Sequence, residues 1–435
     1  MKKIIVVIIF LVNLIGFAQS QTVTNLGIGL DNYARTLYAD TTTGLLYVGG
    51  NFDHAGGIPV YHNAIWDGIN WVATDSTQFW GMLNITKFQD TIYASSILPG
   101  GIMKWDGVNW NSICNNCIFD AVGMIATDSL LYIAGCTDTI GGFAQDLLYS
   151  FDGYNLSTLP SLGADPGWCA AIPIILNNEI YLVGNFLSAT NPQIEDIGIF
   201  NGTNWNTVGN TYHSSFAFIN TSVIYQNKLI VGGQFKTAWG DPGNGIAAWN
   251  GSTWSQLGIG IDNGLYDLKV YNNELYAAGI FQSAGGIPVS NIAKWDGIQW
   301  HSLGLTMNGA ISSMAFLNSE LYITGAFTEV NGMQVNHICK ISLPVSDGIF
   351  TLNNLLTVTP NPTNGTIWIN YQFQKSRDNY IKIINLSGKE IFKTNLQTDV
   401  LSQSIELPSS IYSGMYSIAI SDGINVVYKK LMLIK

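Results

Sequence analysis

Leu275-Tyr276-Ala277-Ala278-Gly279, followed by Trp295-Asp296-Gly297-Ile298-Gln299-Trp300, is the pair of stretches that decides the fold. The first half recurs as a Leu/Ile-Tyr/Ile step at Leu46, Ile92, Leu131, Ile180, Leu229 and Leu321. The second, an aromatic residue followed by Asp/Asn-Gly, recurs at Trp66, Trp105, Phe151, Phe200 and Trp249, with Ile341 as a degenerate last copy. The offset between halves is 20 residues in every repeat but the second, where it is 13. A fixed period of this kind belongs to stacked supersecondary units that cannot bury their faces alone.

The repeat at 264–304 shows what one unit contains. Tyr266 to Val270 alternates apolar and polar residues, and Asn272-Asn273 marks a turn. Leu275–Gly279 reads as a second strand and Asn291–Trp295 as a third. Asp296-Gly297 is a hairpin signal, and Trp300–Leu303 is the fourth strand. Four antiparallel strands in the 46 residues that separate Leu229, Leu275 and Leu321 make a propeller blade. Seven copies predict an all-β, seven-bladed β-propeller.

The last repeat ends at Ile341 without a fourth strand, and the N-terminal region supplies one. Leu26-Gly27-Ile28-Gly29-Leu30-Asp31-Asn32 nearly copies Leu257-Gly258-Ile259-Gly260-Ile261-Asp262-Asn263, which follows the fourth strand of repeat five. Residues near Val23–Leu26 are therefore expected to pair with His337–Ile341 and close the last blade, removing the open edge of the ring. The Trp66/Trp71, Trp105/Trp110, Trp249/Trp254 and Trp295/Trp300 pairs repeat from blade to blade, as a packing role requires.

Composition agrees with this architecture and narrows the partners. Charged residues make up 11% of the 435, while Gly numbers 46 and aromatics reach 12%. Only seven of the acidic residues are Glu, so many carboxylates are Asp placed to form turns. A net charge of −11 with 18 Lys+Arg leaves no basic stripe for nucleic acid. Lys2-Lys3, the apolar run Ile4–Phe17 and Ala18-Gln19-Ser20 read as a signal peptide over residues 1–20. No other segment is long and apolar enough to span a bilayer as a helix, so no integral membrane segment is expected after its removal.

Of the five cysteines (Cys114, Cys117, Cys136, Cys169, Cys339), Cys114 and Cys117 are read as a local disulfide or two inert thiols, because no second Cys/His pair lies at ligand spacing. Nothing specifies a metal or another cofactor. The histidines His54, His62, His213, His301 and His337 are scattered.

The blade resembles a divergent kelch repeat over residues 21–344, through Gly49-Gly50 and Gly232-Gly233 ending the second strand and the aromatics of strands three and four. Only two repeats keep the diglycine, and Trp or Phe stands where kelch repeats favour Tyr. The likeness implies a fold and not a function. Gly251-Ser252-Thr253-Trp254 is similar to the end of a sialidase Asp-box, but Trp249 stands where that motif has its Asp, and a hairpin has the same needs.

After a linker at 345–354, residues 355–435 read as a small Ig-like β-sandwich of short alternating strands. Pro360-Asn361-Pro362, Gly388-Lys389, Gly414-Met415-Tyr416 and the terminal Lys429–Lys435 fall in the order of the type A C-terminal sorting domain of the Bacteroidetes type IX secretion system. Ile411 stands where that family prefers Leu. The resemblance implies contact with the type IX secretion machinery and a product that is secreted or anchored at the outer cell surface. Asp-Ser/Thr triplets at Asp40, Asp75, Asp90, Asp128 and Asp138 resemble the O-glycosylation sequon of Bacteroidetes exported proteins, although Asp-Thr turns read the same way.

In such a blade, the loops joining strands two to three and strand four to the next blade share one face. That face carries the long variable loops, where binding resides. Aligned on the repeat, Trp80, Phe119 and Trp168 occupy one position before the innermost strand of blades two, three and four. Three such rings at the channel mouth suit the C–H faces of sugars or peptide side chains; packing between blades is the structural alternative. His54, Tyr61, His62, Tyr212, His213 and Trp239 fall on the same face. The expected function is a non-catalytic binding or adhesion module for an extracellular glycan or protein. The alternative is a polysaccharide-active hydrolase or lyase at the channel mouth, drawing on Asp165, Asp241 or Asp262.

Overall fold

The computed structural model describes residues 21–74, 82–96, 101–113, 119–137, 148–160, 162, 170–188, 191, 194–208, 218–237, 243–343, 357–359, 363–370, 380–385, 390–395, 402–421 and 426–434. Contacts divide the chain after Leu343, and the two parts are described in turn.

Between Gln21 and Leu343 the described residues form seven four-stranded antiparallel sheets. Their first strands are Ala34–Asp40, Met82–Phe88, Phe119–Ala126, Ala170–Leu176, Phe218–Tyr225, Leu265–Tyr271 and Ile311–Leu317. We number the sheets one to seven in that order. Each first strand packs against the next, and that of sheet seven packs against that of sheet one. The described part of this unit is therefore a closed ring of sheets around an axis, a β-propeller. Sheet seven takes its outer strand from the beginning of the chain: Thr22, Val23, Thr24 and Asn25 pair with Ser342, Ile341, Lys340 and Cys339.

Turn chemistry sets the strand boundaries. Five of the hairpins joining first to second strands are two-residue turns with positive φ at both positions: Gln89/Asp90, Asn177/Asn178, Gln226/Asn227, Asn272/Asn273 and Asn318/Ser319. Their twist matches that of the flanking strands. The Asp-Gly hairpins between third and fourth strands are longer. Trp295 pairs with Trp300, leaving a four-residue loop in which Gly297 sits at φ 104°. Asp296 Oδ1 accepts from the backbone N–H of Ile298 and Gln299, at 2.7 and 2.9 Å. Asp67, Asp106, Asp152, Asn201 and Asn250 do the same in the other hairpins. The Asp of the repeat is thus a turn acceptor.

The paired aromatics fill the spaces between sheets. Trp66–Trp71, Trp105–Trp110, Trp249–Trp254 and Trp295–Trp300 meet with centroids 5.1–5.5 Å apart in tilted geometry. The fourth-strand indole also reaches the preceding sheet. Trp71 Nε1 donates to Leu26 O, Trp205 to Pro160 O, Trp254 to Val208 O and Trp300 to Leu257 O, at 2.6–3.4 Å. The diglycine has a steric cause: a Cβ on Gly50 would strike the Ala34 backbone, and one on Gly49 would strike Met82 of the neighbouring sheet.

The likeness of 26–32 to 257–263 is structural as well. Gly27 and Gly258 have φ 60° and 63°, and Gly29 and Gly260 have φ 80° and 83°. Leu30 N donates to Asn336 O, and Ile261 N to Asn244 O, both at 2.9 Å. Asp40 is buried, accepting from Thr42 N and the Thr43 hydroxyl, so this Asp-Thr triplet is a turn. Asp75, Asp138, Cys114, Cys117 and Cys169 lie outside the described residues. Cys339 is a buried free thiol that burial pushes up to about 12, far from a reactive thiolate.

The second unit is described from Thr357. Thr357–Thr359, Thr366–Asn370 and Ser402–Glu406 form one sheet, and Tyr380–Ile384, Glu390–Asn395, Gly414–Ser421 and Val426–Leu433 another. Ile367, Ile369 and Ile405 of the first sheet share a core with Ile381, Ile383, Ile418 and Leu431 of the second. Ile411 is buried in that core, which accepts an Ile where the sorting family prefers Leu. Thr363 holds the chain end, accepting from Ile434 N at 2.8 Å and donating its own N–H to Met432 O at 2.9 Å.

Two predictions follow from these contacts. Val23→Asp places a charge among Leu321, Ile323 and Ile341 and is expected to destabilise the ring by about 3 kcal/mol or more; urea denaturation of the full chain checks it, and an unchanged midpoint contradicts the closing role. The turn carboxylates concern pH. Backbone N–H donors (Asn70, Asn109 and Asn155 first) hold Asp67, Asp106 and Asp152 below the ordinary carboxylate range. Asp296 is lowered to about 2 by Gln299 N and by His301. These folded-state values are depressed, so the stability they contribute is present above about pH 4 and is lost as pH falls toward about 2. Replacing all four by Asn, as Asn201 and Asn250 already stand in the repeat, should lessen the fall of the melting temperature across that window, with the lowered Asp31 and Asp40 left to account for the remainder.

Candidate functional site

The ring encloses an open cavity of about 890 Å³ on its axis, lined by residues from all seven first strands. Its form comes from one repeated backbone irregularity. In sheet one Ala34 pairs with Gly50 and Thr36 with Gly49, so Arg35 is an extra residue between them. The same bulge leaves Leu83, Val122, Asn220, Tyr266 and Ser312 unpaired in sheets two, three, five, six and seven. Sheet four keeps its register, with Ile172 opposite Val183. A bulge bends the strand and re-aims the extra side chain. All six bulged residues and Ile172 line the cavity.

The residues flanking the bulge are buried, apart from the half-buried Asn84. Ala34, Met82, Ala121, Ile219, Leu265 and Ile311 precede it, and Thr36, Thr221, Asp267 and Ser313 follow it. The alternation expected from Tyr266 to Val270 is therefore broken: Tyr266 is 40% exposed in the cavity while Asp267 is buried at 7%. Apolar residues spaced three apart at Ala34/Leu37, Met82/Ile85, Leu265/Leu268 and Ile311/Met314 carried this signal in the sequence, because an unbulged strand repeats every two.

Around the axis the bulged side chains divide into two arcs. Asn220, Tyr266, Ser312 and Arg35 make a polar arc on sheets five, six, seven and one. Leu83, Val122 and Ile172 make an apolar arc on sheets two, three and four. Hydrogen bonds between sheets stitch the polar arc. Asn220 Nδ2 donates to Leu265 O at 3.0 Å. Asp267 Oδ2 accepts from Met314 N at 2.7 Å and from the Ser313 hydroxyl at 3.1 Å. Ser313 Oγ in turn accepts from Leu37 N at 3.2 Å. Close packing joins part of the apolar arc: a Cβ on Gly123 would lie 2.8 Å from Ile172 Cα.

Three charged side chains line the described cavity: Arg35, Asp267 and Lys269. Lys269 Nζ lies 2.8 Å from Asp267 Oδ1. Arg35 is exposed and forms no ion pair among the described residues. Tyr38 also lines the cavity, and burial, then the charge of Asp40, pushes its hydroxyl up to about 12, so it remains a neutral donor.

Of the aromatics expected at the mouth, Trp80 and Trp168 lie outside the described residues. Phe119 begins the first strand of sheet three, opposite Thr137. Tyr212, His213, Trp239, Asp165 and Asp241 also lie outside. Asp262 accepts from Gln282 N and Ser283 N, both at 3.0 Å, which ties its loop to the one between strands two and three. Asp31 repeats this at Asp53 N and His54 N, and His54 Nδ1 lies 2.8 Å from Asp31 Oδ2. His62 Nδ1 is 3.7 Å from Asp53. In sheets one, six and seven the loops share a face: Leu30, Ile261 and Met307 bridge to Ala55, Ala284 and Val330, joining the entry loop of each of these sheets to its loop between strands two and three. The recurrence of Ala-Gly-Gly-Ile-Pro-Val at 55–60 and 284–289 was the sequence sign of those hairpins. Among the described residues no three His, Cys, Asp or Glu side chains cluster to hold a metal ion.

One prediction concerns the stitch. Asp267→Ala strands Met314 N and leaves Lys269 unpaired, and should cost about 2–4 kcal/mol in urea denaturation. Asp267→Asn, which retains an acceptor, should cost less.

Residues 357–435 match the secretion system C-terminal sorting domain family. No curated protein matches the sequence. Among solved structures, the extracellular domain assigned to a one component system in B. thetaiotaomicron is 13% identical with TM-score 0.47, covering 93% of this chain and 57% of that one. The chain thus spans just over half the length of that relative. The β-propeller domain of the Trilobed protease from Pyrococcus furiosus is 11% identical with TM-score 0.44, covering 71% and 95%. A GH74 enzyme of Niastella koreensis is 11% identical with TM-score 0.37, covering 95% and 75%. The chain carries a type IX secretion system C-terminal sorting domain at 357–435 behind a β-propeller, and is a secreted or outer-surface-attached protein.

Proposed function

We propose that the protein is a seven-bladed, kelch-like propeller that binds an extracellular glycan or protein through its axial cavity. In this reading residues 1–20 are a signal peptide, 21–344 the propeller, 345–354 a linker and 355–435 an Ig-like sorting domain that engages the type IX secretion machinery. The observation that carries the binding role is the bulge. One backbone device presents a different side chain from each of six sheets to a single open cavity, while the scaffold around it repeats. Variation confined to the surface of a rigid scaffold is how recognition sites are built.

Trp80 and Trp168 precede the first strands of sheets two and four, and Phe119 begins that of sheet three, the sheets that bear the apolar arc. We place them at the mouth as stacking platforms for the same ligand. The one carboxylate of the described lining, Asp267, is engaged by Ser313, Met314 N and Lys269, which suits a structural part better than acid–base work. A glycan-array screen of the full chain, beside a Trp80→Ala/Trp168→Ala double variant, tests the reading. Binding lost in the double variant is expected. Binding that survives it removes the two tryptophans from the site, and an array without any bound glycan sinks the carbohydrate reading in favour of a protein partner.

A further inference from the structure

We propose that the cavity takes a carboxylate-bearing sugar ring, held by Arg35 on the polar arc and by Leu83, Val122 and Ile172 on the apolar arc. The inference rests on the binding reading above and names the ligand class of that site. Its first ground is charge. The chain has 29 Asp+Glu against 18 Lys+Arg, so a cation set on its axis with no ion pair among the described residues is the opposite of the average surface. Lys269 is neutralised by Asp267 at 2.8 Å, which leaves Arg35 as the uncompensated charge of the described lining. A guanidinium presents a planar fork of N–H donors that matches a carboxylate in two parallel hydrogen bonds.

The second ground is the division of the six bulged side chains and Ile172. A pyranose ring has an apolar C–H face and hydroxyls around its rim, and needs apolar and hydrogen-bonding surfaces on opposite sides. Leu83, Val122 and Ile172 face the axis from three consecutive sheets, and Asn220, Tyr266, Ser312 and Arg35 from the other four. A peptide strand fits less well. It would add to a regular strand edge, and the bulges interrupt that regularity in six of the seven first strands.

Titration calorimetry of the full chain with trigalacturonate and sialyllactose, each beside its methyl ester, tests this. The ester keeps the ring and removes the charge. At least one free acid is expected to bind about tenfold or more tighter than its ester, with the preference shrinking as salt rises. Arg35→Ala should erase the preference without moving the melting temperature, because Arg35 is exposed and unpaired among the described residues. Arg35→Lys should restore part of it. Equal binding of acid and ester, or a preference that survives Arg35→Ala, overturns the acidic-sugar assignment and leaves the glycan-binding module standing. Failure of both acids to bind overturns it as well, and the glycan array then decides the broader reading separately.

Discussion

Each four-stranded sheet of the propeller can bury its two faces only against the sheets on either side, so the ring cannot afford an open end. Closure rests on one antiparallel pairing, Thr22–Asn25 with Cys339–Ser342, which joins the beginning of the propeller to its end. Val23 enters the same core as Leu321 and Ile341, so the pairing contributes apolar burial as well as ladder hydrogen bonds. The two partners are separated by almost the whole propeller sequence. The contact is therefore the most non-local in the unit, and the one for which loop-closure entropy is largest.

Around that constraint the blades reuse a few local devices. An Asp or Asn caps each hairpin between third and fourth strands. An indole N–H reaches back to a carbonyl of the preceding sheet. A glycine admits the first strand where a Cβ would strike it, as Gly50, Gly233, Gly279 and Gly325 do. Repetition of these residues reports packing. Departure from repetition reports something else, and the bulged position departs from it: its backbone recurs in six sheets while its side chain runs from Arg35 through Leu83 and Val122 to Asn220, Tyr266 and Ser312.

The candidate site was only partly legible beforehand. The loop-rich face was readable, and Leu30–Ala55, Ile261–Ala284 and Met307–Val330 bridge there. The cavity wall was not, because strict alternation assigned Tyr266 and Asp267 to opposite faces from those they occupy. In the sequence Asp267 is a polar position of the alternating stretch Tyr266–Val270. In the fold it accepts from Ser313 and Met314 N of the next sheet, a role that exists only once two sheets are side by side.

By itself the sequence determined the repeat, the turns, the closing strand and the sorting domain. Those features follow from local physics: φ above zero wants Asn or Gly, alternation of side chains has a period of two, and near-identical heptapeptides at 26–32 and 257–263 adopt the same turns. Only the tertiary structure decided where the bulges fall and how their side chains divide into polar and apolar arcs. An extra residue is defined by its partner strand, and an arc by the order of sheets around a closed ring. Neither relation exists within any short stretch of chain.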